Sequence, residues 1–117
     1  MAEGFARYLG AGAVEPSSAG VFPASIIQPE TFRVMAECGM PLEEELVPRN
    51  ILYLDGSRVD LLVNMSGQPA VRLLRNFQGR ALDWEVPDPI GMSLPVYRAV
   101  RDEIEQRVRA LLAEFRP

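Results

Sequence analysis

Asp88 lies in the run Trp84-Glu85-Val86-Pro87-Asp88-Pro89, with a proline on either side. Two rings of fixed φ stiffen such a turn, and a carboxyl group held there can protonate a leaving oxygen and later deprotonate a water. The same residues also read as a plain turn continued by Ile90-Gly91. Cys38 is the only cysteine, which excludes an intrachain disulfide and a Cys-rich metal site. The sequence contains no His, which argues against a Ser-His-Asp triad, a His-based zinc site and a His general base. Chemistry is left to carboxylates, hydroxyls or one thiol, and no cofactor or metal is expected. Cys38 closes an apolar helical stretch far from any glycine-rich loop, so it reads as a buried, unreactive thiol. Glu43-Glu44-Glu45 reads as a solvated run, and Gly10, Gly12 and Gly20 make no phosphate-loop pattern.

Charge narrows the partners. All 12 basic residues are Arg, the net charge is −4 and the sequence pI is about 4.8. The charges are spread without a basic stripe, so no nucleic-acid partner is expected. The apolar runs are too short to span a bilayer, and Met1-Ala2-Glu3-Gly4 lacks the basic start of a signal peptide. No membrane association and a cytoplasmic location are the expectation.

The elements that would position these groups follow from periodicity. At 117 residues, 48% of them hydrophobic, the chain suits one domain over residues 1–117. A helix is predicted over Ala2 to Leu9, ended by Gly10-Ala11-Gly12. A weak or edge strand is predicted over Ala13 to Ser18, limited by Pro16. A second helix runs from Pro29 to Cys38, with Phe32, Met35 and Ala36 inward and Gly39 as its stop. Val59 to Met65 is the clearest strand, apolar enough for burial on both faces. A helix over Ala70 to Phe77 and a short strand over Ala81 to Trp84 follow. The strongest helix is Leu94 to Phe115, with Ser93 as N-cap and Tyr97, Val100, Ile104, Val108, Leu111 and Phe115 on one face. Its other face offers Arg101 to Glu105, Glu103 to Arg107 and Glu105 to Arg109, each worth about 0.2–0.5 kcal/mol. Alternating strands and helices predict an α/β fold, three-layer αβα with a small, mainly parallel sheet.

Read together, Met1-Ala2-Glu3-Gly4-Phe5-Ala6-Arg7, Ser18-Ala19-Gly20, Phe32 to Met40, Trp84 to Pro89 and Tyr97 to Ile104 go further. In order and spacing they resemble the low-molecular-weight protein tyrosine phosphatase superfamily, which includes the thioredoxin-coupled arsenate reductases. The resemblance covers nearly the whole chain. It implies that Asp88 is the general acid, and then the base for the attacking water. It also implies that Ser18, at the family's Ser-Ala position, supports the phosphate loop and so belongs to substrate binding. The implied substrates are phosphorylated proteins or small phosphate esters.

The resemblance also marks what these residues lack. The family's phosphate loop, C-x5-R-S/T, follows a first strand and precedes the residues resembling Met1 to Phe5. Its amides and helix N-terminus surround the anion, its Arg grips it, and the same field turns the Cys into a thiolate. No cysteine precedes Cys38, so the first strand and nucleophile loop are read as absent. The arsenate-reductase branch needs further cysteines, one near Leu61 to Met65, where this chain has Asn64-Met65-Ser66-Gly67. The phosphatase branch often has Met-Asp there, of which Met65 is kept. The family order 2-1-3-4 makes the missing strand an interior one, burying about three large apolar side chains. At roughly 1.5–3 kcal/mol each, their loss rivals a domain's whole stability, so a homodimer joined through strand edges is expected. The function read here is a phosphatase-like domain, truncated and inactive as this chain. The alternatives are a non-catalytic dimeric binding or regulatory module, and a fragment of an active phosphatase or arsenate reductase whose loop lies upstream.

Overall fold

The computed structural model describes residues 1–20, 26–43, 46–69 and 73–115. The chain divides into two compact units, one of Met1–Ser18, Ile26–Val47 and Pro87–Pro117, the other of Ala19–Ser25 and Pro48–Val86.

The first unit is helical. Helix α1 spans Ala2–Leu9, α2 spans Pro29–Glu37 and α3 spans Leu94–Ala113. Pro29 suits the first turn of α2, where its missing N–H has no partner to lose. The chain leaves α2 through Cys38 and then Gly39, whose φ of +78° is the left-handed value that ends helices. Both shorter helices pack on α3. The core is Phe5 of α1, Val34 and Met35 of α2, and Tyr97, Val100, Ile104, Val108 and Leu112 of α3, all buried. At roughly 1.5–3 kcal/mol per large apolar side chain, this seam dominates the unit's stability.

Several expectations need correction here. Leu112, not Leu111, completes the buried stripe of α3, and Phe115 is 45% exposed beyond the helix end. The stripe advances in steps of four from Val100, so it drifts around a helix of 3.6 residues per turn. Leu112 thereby meets α1 at Gly10, where an added Cβ would stand 2.9 Å from Leu112 Cδ2. In α2 the inward residues are Val34 and Met35, while Ala36 is exposed. Ser93 is the N-cap residue of α3, yet its side chain makes no capping bond; its carbonyl accepts the N–H groups of Val96 and Tyr97.

Charges on α3 also regroup. Glu103–Arg107 and Glu105–Arg109 form at 3.8 and 2.8 Å. Arg101 turns instead to α2, donating to the Val34 carbonyl and to Glu37, both at 3.0 Å, with its Nε on Asp102 at 2.9 Å. The last carbonyls of a helix lack intrahelical donors, and a guanidinium is well shaped to supply one. Arg98 adds a fork on Glu37, with Nη2 to Oε2 at 2.8 Å.

The second unit holds a two-stranded parallel sheet, β1 over Leu61–Asn64 and β2 over Arg80–Asp83, in register from Leu61 with Arg80 to Asn64 with Asp83. Among the described residues the sheet has these two strands, with further single bridges between Gly20 and Asn50 and between Asp55 and Arg75. Burial of β1 is partial except at Asn64. No strand forms over Ala13 to Ser18. Ala13 and Val14 donate to the Gly10 carbonyl, and Pro16 lacks an N–H, its carbonyl accepting from Arg7 instead.

The helix expected over Ala70 to Phe77 is also corrected where it can be seen. Residues 70–72 lie outside the described residues, as do Glu44 and Glu45 of the acidic run. From Leu73 to Phe77 the chain is not helical: Asn76 has φ +59° and Arg75 pairs with Asp55. Leu73 and Leu74 are both buried. The Asp55 carboxylate supplies the competing bonds, accepting from Ser57 and from Asn76 Nδ2 at 3.4 Å. These bonds hold the carboxyl below its ordinary range, the Ser57 amide contributing most.

Candidate functional site

The first unit carries Asp88, Ser18 and Cys38. Asp88 is exposed in the turn before α3, its Oδ1 accepting the Ile90 N–H at 3.0 Å. Met92 N–H closes the turn on the Pro89 carbonyl at 2.9 Å, and Gly91 has the positive φ of +79° the turn requires. Oδ2 has no hydrogen-bond partner among the described residues, so it is free to face solvent or a ligand. The Tyr97 phenol is pushed up from its ordinary range, first by its burial and then by the negative charges of Glu30 and Asp88. The Asp88 carboxylate therefore lies within electrostatic reach of the first turn of α3.

Ser18 belongs to a different cluster. Its Oγ donates to Glu3 Oε1 at 2.8 Å, and Arg7 donates to Glu3 Oε2 at 3.3 Å and to the Pro16 carbonyl at 2.9 Å. Glu3 sits in the first turn of α1, where a carboxylate complements the helix dipole. Together these bonds stitch residues 16–18 to the start of α1. Among the described residues no hydrogen bond joins Ser18 to Asp88.

Cys38 is the C-cap of α2, half-buried, with its Sγ donating to the Met35 carbonyl at 3.2 Å. It stands at the negative end of a helix dipole. A reactive thiolate is favoured at the positive end.

The sequence reading passed over Asn64, in the second unit. It is 5% exposed at the carboxyl end of β1. Its Nδ2 donates to the Gln68 carbonyl at 2.6 Å and to Asp83 Oδ1 at 2.9 Å. Its Oδ1 accepts from the Ser66 N–H at 3.0 Å and the Ser66 Oγ at 2.6 Å. The available signal was a carboxamide ending an apolar strand just before Ser66-Gly67, a turn-forming pair.

Comparison with known proteins adds to this geometry. A family model described as low molecular weight phosphotyrosine protein phosphatase matches residues 1–116. A protein of Synechocystis sp. named glutaredoxin arsenate reductase is 32% identical over 117 residues, covering 98% of this chain and 87% of that protein. A Halobacterium salinarum protein named putative arsenate reductase is 33% identical over 104 residues, covering 89% of this chain and 71% of that protein. Among solved structures, an arsenate reductase in the phosphate binding state superposes with a TM-score of 0.85 at 29% identity, covering 98% of this chain and 87% of that one. An arsenate reductase of Archaeoglobus fulgidus gives a TM-score of 0.79 at 28% identity, covering 96% of this chain and 87% of that one.

Proposed function

Since the chain belongs to the low molecular weight phosphotyrosine protein phosphatase family, we propose that its 117 residues carry the acid–base half of that chemistry without the nucleophile. In this reading Asp88 protonates the leaving oxygen of a phosphate ester and then deprotonates the attacking water. Ser18 supports an anion loop from beside α1. The substrate class is a phosphorylated protein or a small phosphate ester, met in the cytoplasm. The carrying observation is the contrast between the one thiol and the carboxylate of the Pro87-Asp88-Pro89 turn. Cys38 caps the C-terminal end of α2 and is bonded to Met35, whereas one oxygen of Asp88 has no hydrogen-bond partner among the described residues.

Arsenate reduction, the activity in the relatives' names, asks for more. Arsenate to arsenite consumes two electrons, and two thiols release two when they join as a disulfide. These residues hold one thiol, so the second would have to come from outside them. We also propose association as a homodimer through strand edges, because the described sheet has only two strands. A monomer mass by light scattering at micromolar concentration would refute the dimer.

The test of the site is turnover of p-nitrophenyl phosphate. The 117-residue chain alone is expected to give none. Adding in trans a peptide with a C-x5-R-S loop is expected to yield turnover that Asp88→Asn abolishes. Turnover by the chain alone that survives both Asp88→Asn and Cys38→Ser would show the assignment to be wrong.

A further inference from the structure

We propose that Asn64 is a positioning residue that ties the loop after β1 to the end of β2, and so fixes the exit from β2, the segment that leads in sequence to Asp88. The proposal rests on the reading of Asp88 given above. Asn64 lies at the carboxyl end of a parallel strand, the edge at which open α/β sheets bind their ligands. A carboxamide offers two N–H donors and an oxygen with two lone pairs, and here all four are used. The Ser66 hydroxyl extends the network by accepting the Gln68 N–H at 3.1 Å.

Two of these connections converge on the exit from β2. The side chain donates to Asp83, the last residue of that strand, and the Asn64 carbonyl accepts the Trp84 N–H at 2.9 Å. The residue therefore grips consecutive positions of the segment that leads in sequence to Asp88, one by side chain and one by main chain. A buried network with every member satisfied specifies one arrangement, and replacing one member leaves the others unpaired. Side chains with fewer donors do not serve the same set of partners. Serine has one donor and cannot serve both Gln68 and Asp83, leucine has none, and aspartate has none when ionised. Aspartate would also set two carboxylates within hydrogen-bond distance.

That last point provides the experiment, performed on the 117-residue chain. Trp84 is the only tryptophan, so its emission and its amide exchange report the exit from β2. Asn64→Asp still accepts from Ser66 but cannot donate to Asp83. It is expected to speed exchange of the Trp84 amide roughly two- to tenfold, as for the loss of one net hydrogen bond, and to shift the indole emission. The exchanged pair, Asn64→Asp with Asp83→Asn, again joins an amide N–H to a carboxylate, leaving only the Gln68 carbonyl without its donor, and is expected to restore both readouts in large part. A residue contributing only to overall stability would lower the unfolding midpoint and leave native-state emission unchanged. Unchanged Trp84 readouts in a folded Asn64→Asp variant, or failure of the exchanged pair to restore them, would overturn the proposal. If Asn64→Asp does not fold, Asp83→Ala decides: it removes only the partner, and an unaltered Trp84 amide would be equally fatal. The reading of Asp88 stands or falls on the turnover assay, which none of these readouts involves.

Discussion

Gly56 is a position where a single methyl group should damage the second unit. A Cβ built there would stand 2.4 Å from the Arg75 carbonyl oxygen, 2.8 Å from Leu74 Cγ and 2.8 Å from Phe77 Cβ. The nearest of these is main chain, so no rotamer change can relieve the clash. The Gly56 N–H also donates to that same Arg75 carbonyl at 2.6 Å, beside the bridge between Asp55 and Arg75. Gly56→Ala must therefore push the two segments apart and stretch or break that hydrogen bond. Overpacking costs about 1–3 kcal/mol and a lost net hydrogen bond about 0.5–1.5, so a destabilisation of roughly 2–4 kcal/mol is expected. With a urea slope of about 1–3 kcal/mol per molar for a small protein, the midpoint should fall by roughly 1 M or more. Trp84 lies in the same unit, so its emission during urea titration is the assay. Native-state exchange at Gly56 should rise as well. An unchanged midpoint would refute the reasoning, because it would mean that residues 55–56 and 73–77 do not approach as closely as described.

Two further outcomes follow from the first unit. Leu112→Ala should cost about 2–5 kcal/mol, the range for a buried leucine, while Phe115→Ala should stay within about 0.5 kcal/mol, and thermal unfolding separates the two. Glu37 is held below the ordinary carboxylate range, chiefly by the hydrogen bond from Arg98. A carboxylate lowered in the folded state stabilises it above the unfolded value of about 4.3, and that contribution is lost as pH falls through the folded value. Urea midpoints measured from pH 6 downward should thus decline less in Glu37→Gln than in the parent chain.

The helices were legible because each carries its instructions locally. The period of α3, the proline opening α2 and the glycine after it set these elements whatever surrounds them. The two strands were legible as short apolar runs, and their parallel pairing followed from the alternation of element types. The loop carboxylate Asp88 and the single cysteine were legible as residue types, and the family was legible in the order of five short motifs.

What the chain alone could not specify was which polar group meets which. Arg101 had a sequence neighbour of opposite charge at Glu105, yet the approach of α2 offered it a helix-end carbonyl and Glu37. The spacing of residues 70–77 allowed a helix, but Asn76 takes a left-handed backbone and reaches the Asp55 carboxylate some 20 residues away. Asn64 shows the same limit from the other side, since nothing local announces that its amide will find Asp83 on a neighbouring strand. Short-range propensities are worth tenths of a kcal/mol per residue. A buried, fully paired polar group or a filled contact is worth one or more. Where the two disagree the tertiary partner wins, and that partner is known only once the chain has folded.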